Sequence, residues 1–421
     1  MPDADNTIDQ PQLRPPQRLL APLLGCSLAL ALVTPKGFGV VLALAVLVAL
    51  WLLRPAELAR LRLQDGVFLV LFNTYPVLVA FSMLLHGSQD FGLFDNASRF
   101  LLLSILYLGL RTRPYDLSPV VLGAMAGCAL AFCAAAVHFA YVSPSSADTL
   151  GRFVAFENAV VFAHIAFFLL LIAITPTSLS GLAGSRVRLL LIAVVILASG
   201  SLVVSQSRGV LVALLVLYVY LLFFDRRLPG HRLTRYLLLL SGIGTGVFLV
   251  STPYLYHLGG TAAELAANYR EIDQLTSLGQ RLAQWSVSWR LILEEPFLGY
   301  GVGRFNEALN SLPDAAALTA TVRGYNHAHN EYLHLAVEQG LVGLVVFLCA
   351  LAGILYLTFR ERFAADARHL LVGAIGFWLY FGLTQTQFAH QKTTMMFALL
   401  LVLGFSRGMN LKYGPVTTTQ S

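Results

Sequence analysis

The sequence predicts an all-α polytopic membrane protein of about 12 transmembrane helices, with one long outer-face loop that contains amphipathic helices. Three observations predict it. The 421-residue chain is 57% hydrophobic and only 12% charged, with a mean hydropathy of +0.71, whereas soluble domains carry about 25% charge. Apolar runs recur at lengths suited to a bilayer core, which takes roughly 20 helical residues to cross. Basic residues gather on alternate connections, as the positive-inside bias requires. This composition excludes a soluble enzyme, a disordered scaffold and a nucleic-acid binder. The formal charge of +6 comes from 28 basic and 22 acidic residues, nearly all of the basic ones arginine. In such a chain the excess reads as topology and anion binding.

Hydrocarbon offers no water to the backbone, so each apolar run must bond internally as a helix. The cores are Leu19–Val33, Phe38–Leu53, Val67–Leu85, Ala97–Leu110, Val120–Val142, Val154–Ile174, Leu189–Val204, Val210–Phe224 and Tyr236–Val250. After a long gap follow Leu341–Leu357, Leu370–Leu383 and Thr394–Phe405. Five residues, Ser205-Gln206-Ser207-Arg208-Gly209, divide the seventh core from the eighth, because one uninterrupted helix there would overrun a single crossing. With the N-terminus inside, 18 of the 28 basic residues fall on inner segments and 5 on short outer ones. The other 5 sit in the long loop, where the bias does not count. Even parity then puts both termini inside. The first run follows Arg14 and Arg18, as a signal peptide would, but only Thr34-Pro35-Lys36-Gly37 separates it from the second, which favours a helical hairpin.

The chain thus divides into residues 1–250 with helices 1–9, a polar loop over 251–340, and residues 341–421 with helices 10–12 and an inner tail. Within the loop, Ala262–Leu293 has helical composition, and Leu282, Trp285, Trp289 and Leu293 share one face. That pattern fits a helix lying on the membrane or packed on the bundle. Cys26, Cys128, Cys133 and Cys349 all lie in apolar runs without pairing or metal-ligand spacing, so they read as small packing residues.

The apolar cores hold few ionisable residues near their centres, with Glu157, His164 and His138 as the candidates. That argues against an ion-coupled transporter, which needs charge at the midplane. The outer segments instead collect arginine and histidine. Arg208 stands in the tight turn between two cores, where it fits an anion site, a snorkelling interfacial residue or a helix-end cap. Arg281 precedes Trp285 by one turn and fits either an anion site or a stack on the indole. In Tyr325-Asn326-His327-Ala328-His329-Asn330-Glu331, the alternating histidines suggest a metal pair that lacks a clear third ligand, although Glu331 or Glu338 would supply a carboxylate.

Together these residues resemble the O-antigen ligase and polymerase superfamily of bacterial membrane glycosyltransferases. His329-Asn330, nine residues, Gly340, two residues and Gly343 resemble its H[NSQ]-x9-G-x-x-G signature. Ser207-Arg208-Gly209 looks like the family's first outer arginine. Arg281-x3-Trp285, followed by Pro296-Phe-Leu-Gly299-Tyr-Gly301-Val-Gly303, looks like its second arginine and glycine-rich segment. The likeness covers roughly residues 200–355 well and the rest through helix count and topology. It is specific for the superfamily and less so for the member.

The resemblance implies a GT-C-like enzyme of the bacterial inner membrane whose active site faces the periplasm. It would take a glycan from undecaprenyl diphosphate and join it to the lipid A–core. Fixed cations suit a leaving group that gains negative charge, and the arginine fork pairs with phosphate oxygens. Arg208 and Arg281 are therefore expected on the diphosphate, and His329 as the base that takes the acceptor's proton. His327, Tyr325, Asn330 and Arg304 form a second tier, Arg304 fitting a structural role equally. Asn330 is expected to cap a helix ending near Gly340, whose positive end keeps His329 neutral. No metal or cofactor is expected, and no nucleic-acid partner. One base without an enzyme nucleophile implies inversion. An O-antigen polymerase or a protein O-oligosaccharyltransferase would share the donor, and a lipid-linked oligosaccharide flippase is the reading from another class.

Overall fold

The computed structural model describes residues 18–113, 115–141, 158–175, 184–205, 207–223, 232–251, 277–313 and 326–416, and every regular element among them is helical. In chain order these are α1 (Leu20–Ala29), α2 (Gly37–Leu52), α3 (Pro55–Leu58), α4 (Leu63–Phe72), α5 (Thr74–Leu85), α6 (Asp95–Arg111), α7 (Ser118–Tyr141) and α8 (Ala159–Ala173). They continue as α9 (Gly184–Ser205), α10 (Arg208–Phe223), α11 (Arg232–Ser251), α12 (Ser277–Glu294), α13 (Phe305–Ser311), α14 (Glu331–Arg360), α15 (Ala365–Gly382) and α16 (Gln391–Tyr413). Each apolar core read from the sequence coincides with one of these helices or, for the third, with a bent pair.

Among the described residues, four helices are each long and apolar enough to cross a membrane: α6 with the 3-10 turn before it, α7, α14 and α16. The pair α4 and α5 makes a fifth, bent by 47°, and α1, α2, α8, α9, α10 and α11 supply shorter apolar helical stretches of 10–17 residues. The bend departs from the single helix expected over Val67–Leu85. Pro76 lacks an N–H, and its ring opposes the carbonyl four residues back at Phe72. Asn73 adds to the break by turning its amide back to the Leu69 carbonyl (2.8 Å) and across to Ser104 Oγ (2.8 Å).

The centre of the bundle is α8 and α16. Almost every residue of α8 is buried, as is 83% of the most apolar window of α16. α7 packs against α1, α8 and α9, while α6 lies between α2 and α16. α10 pairs with α11, and α14 touches α4, α5, α12 and α15. Small residues allow the closest approach: a Cβ on Gly123 of α7 would meet the Gly25 carbonyl of α1 at 2.1 Å. Close backbone contact through glycine is how helices gain dispersion energy where burial against lipid gives little.

At the arginine-rich end, buried charges tie helices together. Asp65 Oδ1 accepts from Tyr107 Oη (2.5 Å) and Arg111 Nε (2.9 Å). Arg111 also donates to Asn410 Oδ1 (2.9 Å) and the Gly414 carbonyl (2.6 Å), so α4, α6 and α16 share one knot. The four cysteines are free thiols. Lys392, buried at the start of α16, donates to the Ala31 and Thr34 carbonyls after α1 (3.2 and 3.1 Å).

The loop helix α12 presents two apolar stripes. Ala283, Val287 and Leu291 pack against Ala336 and Val337 of α14. Of the stripe read from the sequence, Leu282, Trp289 and Leu293 are 37%, 56% and 64% exposed, while Trp285 is half-buried with its indole nitrogen inside the protein. The bundle takes the stripe of smaller side chains, which allows close packing, and leaves most of the bulky one outward.

Candidate functional site

The site is built around a break in α14. Gly340 leaves the helix with φ 68°, and a Cβ there would fall 2.0 Å from the Phe297 carbonyl. A strap formed by Pro296–Gly303 wraps the break. Leu341 N–H donates to the Pro296 carbonyl (2.8 Å), Tyr300 N–H to Val337 (2.9 Å) and Gly301 N–H to Glu338 (2.9 Å). The buried Glu338 carboxylate accepts from Gly303 N–H (2.9 Å). The glycine-rich run and the Gly340 signature, far apart in sequence, are thus one structural unit, and only glycine permits the approach.

The break leaves residues 331–339 as a short helix of their own, and Asn330 caps it. Its Oδ1 accepts from the N–H groups of Tyr332 (3.0 Å) and Leu333 (3.1 Å), satisfying two donors that helix geometry leaves orphaned. Its Nδ2 donates to the Leu383 carbonyl at the end of α15 (3.1 Å). Glu331, also buried, accepts from the N–H groups of Gln387 and Phe388. The cap therefore docks the start of α14 onto the connection between α15 and α16.

His329 stands immediately before the cap with φ 48°, a left-handed conformation rare outside glycine and costing about 1 kcal/mol or more. Its Nδ1 lies 2.9 Å from Gln385 Oε1, and Gln385 Nε2 lies 2.7 Å from His390 Nε2. The His327 ring sits edge-on to His329 with centroids 4.4 Å apart and 6.1 Å from His390, and its Nδ1 meets Asn326 Oδ1 at 2.7 Å. Burial pushes the His329 pKa down and the Arg281 charge pushes the same way, against the Gln385 hydrogen bond. Burial, with the neighbouring histidines, lowers His327 to about 3 and His390 to about 4. All three imidazoles are neutral near pH 7. The cluster is linked by hydrogen bonds and ring contacts rather than as a ligand set: among the described residues no three His, Cys, Asp or Glu groups are placed to hold a metal ion.

Arg281 lies near this cluster, and the residue after Arg208 packs on the helix that leads to Gln385. Arg281 of α12 acts electrostatically on His329 and on His164. Arg208 opens α10, and the carbonyl of the next residue, Gly209, accepts from Tyr380 Oη of α15 (3.0 Å). Gly209 also faces Thr384, the neighbour of Gln385. His164, buried in α8, stacks on Phe381 at 4.3 Å and meets Gln387 Nε2 at 3.1 Å. It is thus a satisfied packing residue on the floor of the cluster.

Arg304 goes elsewhere. Its Nη2 donates to the His86 carbonyl (2.8 Å) and its Nε pairs with Glu307 (3.8 Å), which holds the strap to α5. Tyr325, Glu157 and the side chain of His138 lie outside the described residues. The residues that the sequence reading passed over are Gln385, Gln387 and His390. The available signal was a polar run, Thr384-Gln-Thr-Gln-Phe-Ala-His390-Gln-Lys392, between two apolar cores. Chemically, the cluster offers a neutral imidazole whose Nδ1 is held by Gln385, in the field of a guanidinium. That arrangement can accept a proton beside a developing anion.

Comparison with known proteins points the same way. Residues 192–348 match the family model described as O-antigen ligase. The chain is 25% identical over 156 residues, 37% of its length and 39% of the relative's, to an uncharacterized protein of Haemophilus influenzae. It is 23% identical over 180 residues, 42% of its length and 43% of the relative's, to an O-antigen ligase of Escherichia coli K12. Each match thus spans about two fifths of the relative. Residues 192–348 carry the sequence pattern of the O-antigen ligase family, and Arg208, Arg281 and His329 all lie inside that stretch.

Proposed function

We propose that this protein is an O-antigen ligase of the bacterial inner membrane, which crosses the bilayer twelve times with both termini in the cytoplasm and residues 251–340 in the periplasm. The donor is a glycan polymer on undecaprenyl diphosphate, and the acceptor is the lipid A–core. The observation that carries the reading is the meeting of His329 with Gln385 within the field of Arg281, inside the stretch that matches the family.

The chemistry follows from the residues. An acceptor hydroxyl attacks the anomeric carbon as its proton passes to His329 Nε2. The bond from that carbon to the phosphate oxygen breaks, and undecaprenyl diphosphate departs with the electron pair. Arg208 and Arg281 stabilise the charge that grows on it, an effect that runs to about 10²–10³-fold for single donors in such sites. A single displacement inverts the anomeric centre. No ATP is needed, because the diphosphate ester supplies the driving force.

A deletion strain tests this, with lipopolysaccharide gels read beside the lipid-linked glycans. The ligase reading expects bare core and polymer retained on undecaprenyl diphosphate, restored by the wild-type gene and not by His329→Ala at equal expression. Core carrying a single repeat would identify a polymerase instead. An unchanged profile would overturn both.

A further inference from the structure

The Gln385 side chain hydrogen-bonds two histidines of the cluster, His329 and His390, and an amide placed there constrains both. A primary amide accepts at oxygen and donates at nitrogen. Its Oε1 faces His329 Nδ1 at 2.9 Å and its Nε2 faces His390 Nε2 at 2.7 Å. The first contact requires a proton on His329 Nδ1. The second requires a lone pair on His390 Nε2, which leaves the His390 proton on Nδ1. One amide therefore holds both rings in the same neutral tautomer. Gln385 is itself fixed: it is 1% exposed, and its N–H donates to the Phe381 carbonyl at the end of α15 (3.1 Å).

We infer that Gln385 is a positioning residue that sets the tautomer of His329, keeping Nδ1 protonated so that the Nε2 lone pair is the one presented to an acceptor hydroxyl, with His390 anchoring the far side of the amide. This rests on the reading of His329 as the base. When Nε2 takes the proton, the Nδ1–H bond to Gln385 is unchanged, so no side chain must turn during transfer. The left-handed backbone at His329 and the cap at Asn330 aim the ring, and the amide decides which nitrogen is basic.

Two experiments test it. The first reads the tautomers directly, from nitrogen-15 shifts of histidine-labelled protein in lipid nanodiscs at pH 7.5, with signals assigned by His329→Gln and His390→Gln. Protonated Nδ1 and unprotonated Nε2 at both residues is the expected result, and an Nε2–H tautomer at His329 overturns the inference. The second compares Gln385→Leu and Gln385→Glu in transfer from undecaprenyl-diphosphate-linked oligosaccharide to lipid A–core. Leucine should lower kcat at least about 10-fold with little change in the KM for donor. Glutamate still accepts from Nδ1–H and favours imidazolium, so it should restore kcat at high pH with the acidic limb moved upward. A leucine variant within twofold of wild type, with the same pH profile, overturns the inference even if His329→Ala is inactive. Full activity of His329→Ala would instead remove the base reading on which the inference stands.

Discussion

Gln385 Oε1 meets His329 Nδ1 at 2.9 Å across 56 residues of chain, joining the start of α14 to the connection between α15 and α16. That contact makes the acid side of the pH profile informative. Burial and Arg281 depress the His329 pKa, and a base works while neutral. The rate plateau should therefore extend below pH 6.5, the ordinary histidine value, before it falls. A pH–kcat/KM profile with its acidic limb above pH 7 would contradict the assignment.

The same depression has a stability consequence. Unfolded histidines bind protons near pH 6.5, while His390 and His327 resist until about 4 and 3. Stability is thus fully present above pH 6.5 and declines as pH falls through that interval, because the unfolded state binds more protons. Thermal unfolding in detergent at pH 7.5 and pH 5 should show the lower midpoint at pH 5. Replacing His327 and His390 together by glutamine should reduce the difference.

Arg281→Ala carries two expectations. Transfer should fall by roughly 10²-fold or more if the guanidinium stabilises the leaving diphosphate. The acidic limb should also move to higher pH, because the charge that disfavours imidazolium at His329 is gone. Arg281→Lys should restore the limb better than the rate, since an ammonium supplies charge without the fork. A rate unaffected by alanine would place Arg281 outside the chemistry.

Gly340→Ala should disrupt the strap. The added Cβ would fall 2.0 Å from the Phe297 carbonyl at a backbone φ of +68°, so Pro296–Gly303 must separate from α14. The expected cost exceeds about 2 kcal/mol, read as a lower unfolding midpoint together with lost transfer.

At the other end of the bundle, Arg111→Met leaves Asp65 buried without its cation. Breaking a buried pair on one side costs about 3–5 kcal/mol, so expression and midpoint should both fall. The double variant Asp65→Leu with Arg111→Met should recover part of the loss, which a purely steric defect would not.

How much was legible in the sequence differs between the bundle and the site. Helices announce themselves because an apolar run in hydrocarbon can satisfy its backbone only internally, so each core read from composition coincides with a helix or bent pair. The bend at Asn73 and Thr74 was legible in principle from Pro76, but a hydropathy reading averages a proline away. The cap at Asn330 and the break at Gly340 follow from residue types with strong local preferences, and both stand where the spacing put them. Arg304 lacked such a local signal, and its bond to the His86 carbonyl could be found only from the packed strap.

The sequence by itself determined the all-helical class, the order of the apolar elements and the two glycine-bearing segments, because local chemistry and the 3.6-residue period settle these within a few turns. The tertiary structure alone decided which stripe of α12 faces the bundle, how the strap closes on Gly340, and that Gln385 and His390 stand beside His329. These depend on the approach of segments tens to hundreds of residues apart, which packing selects and no local pattern encodes.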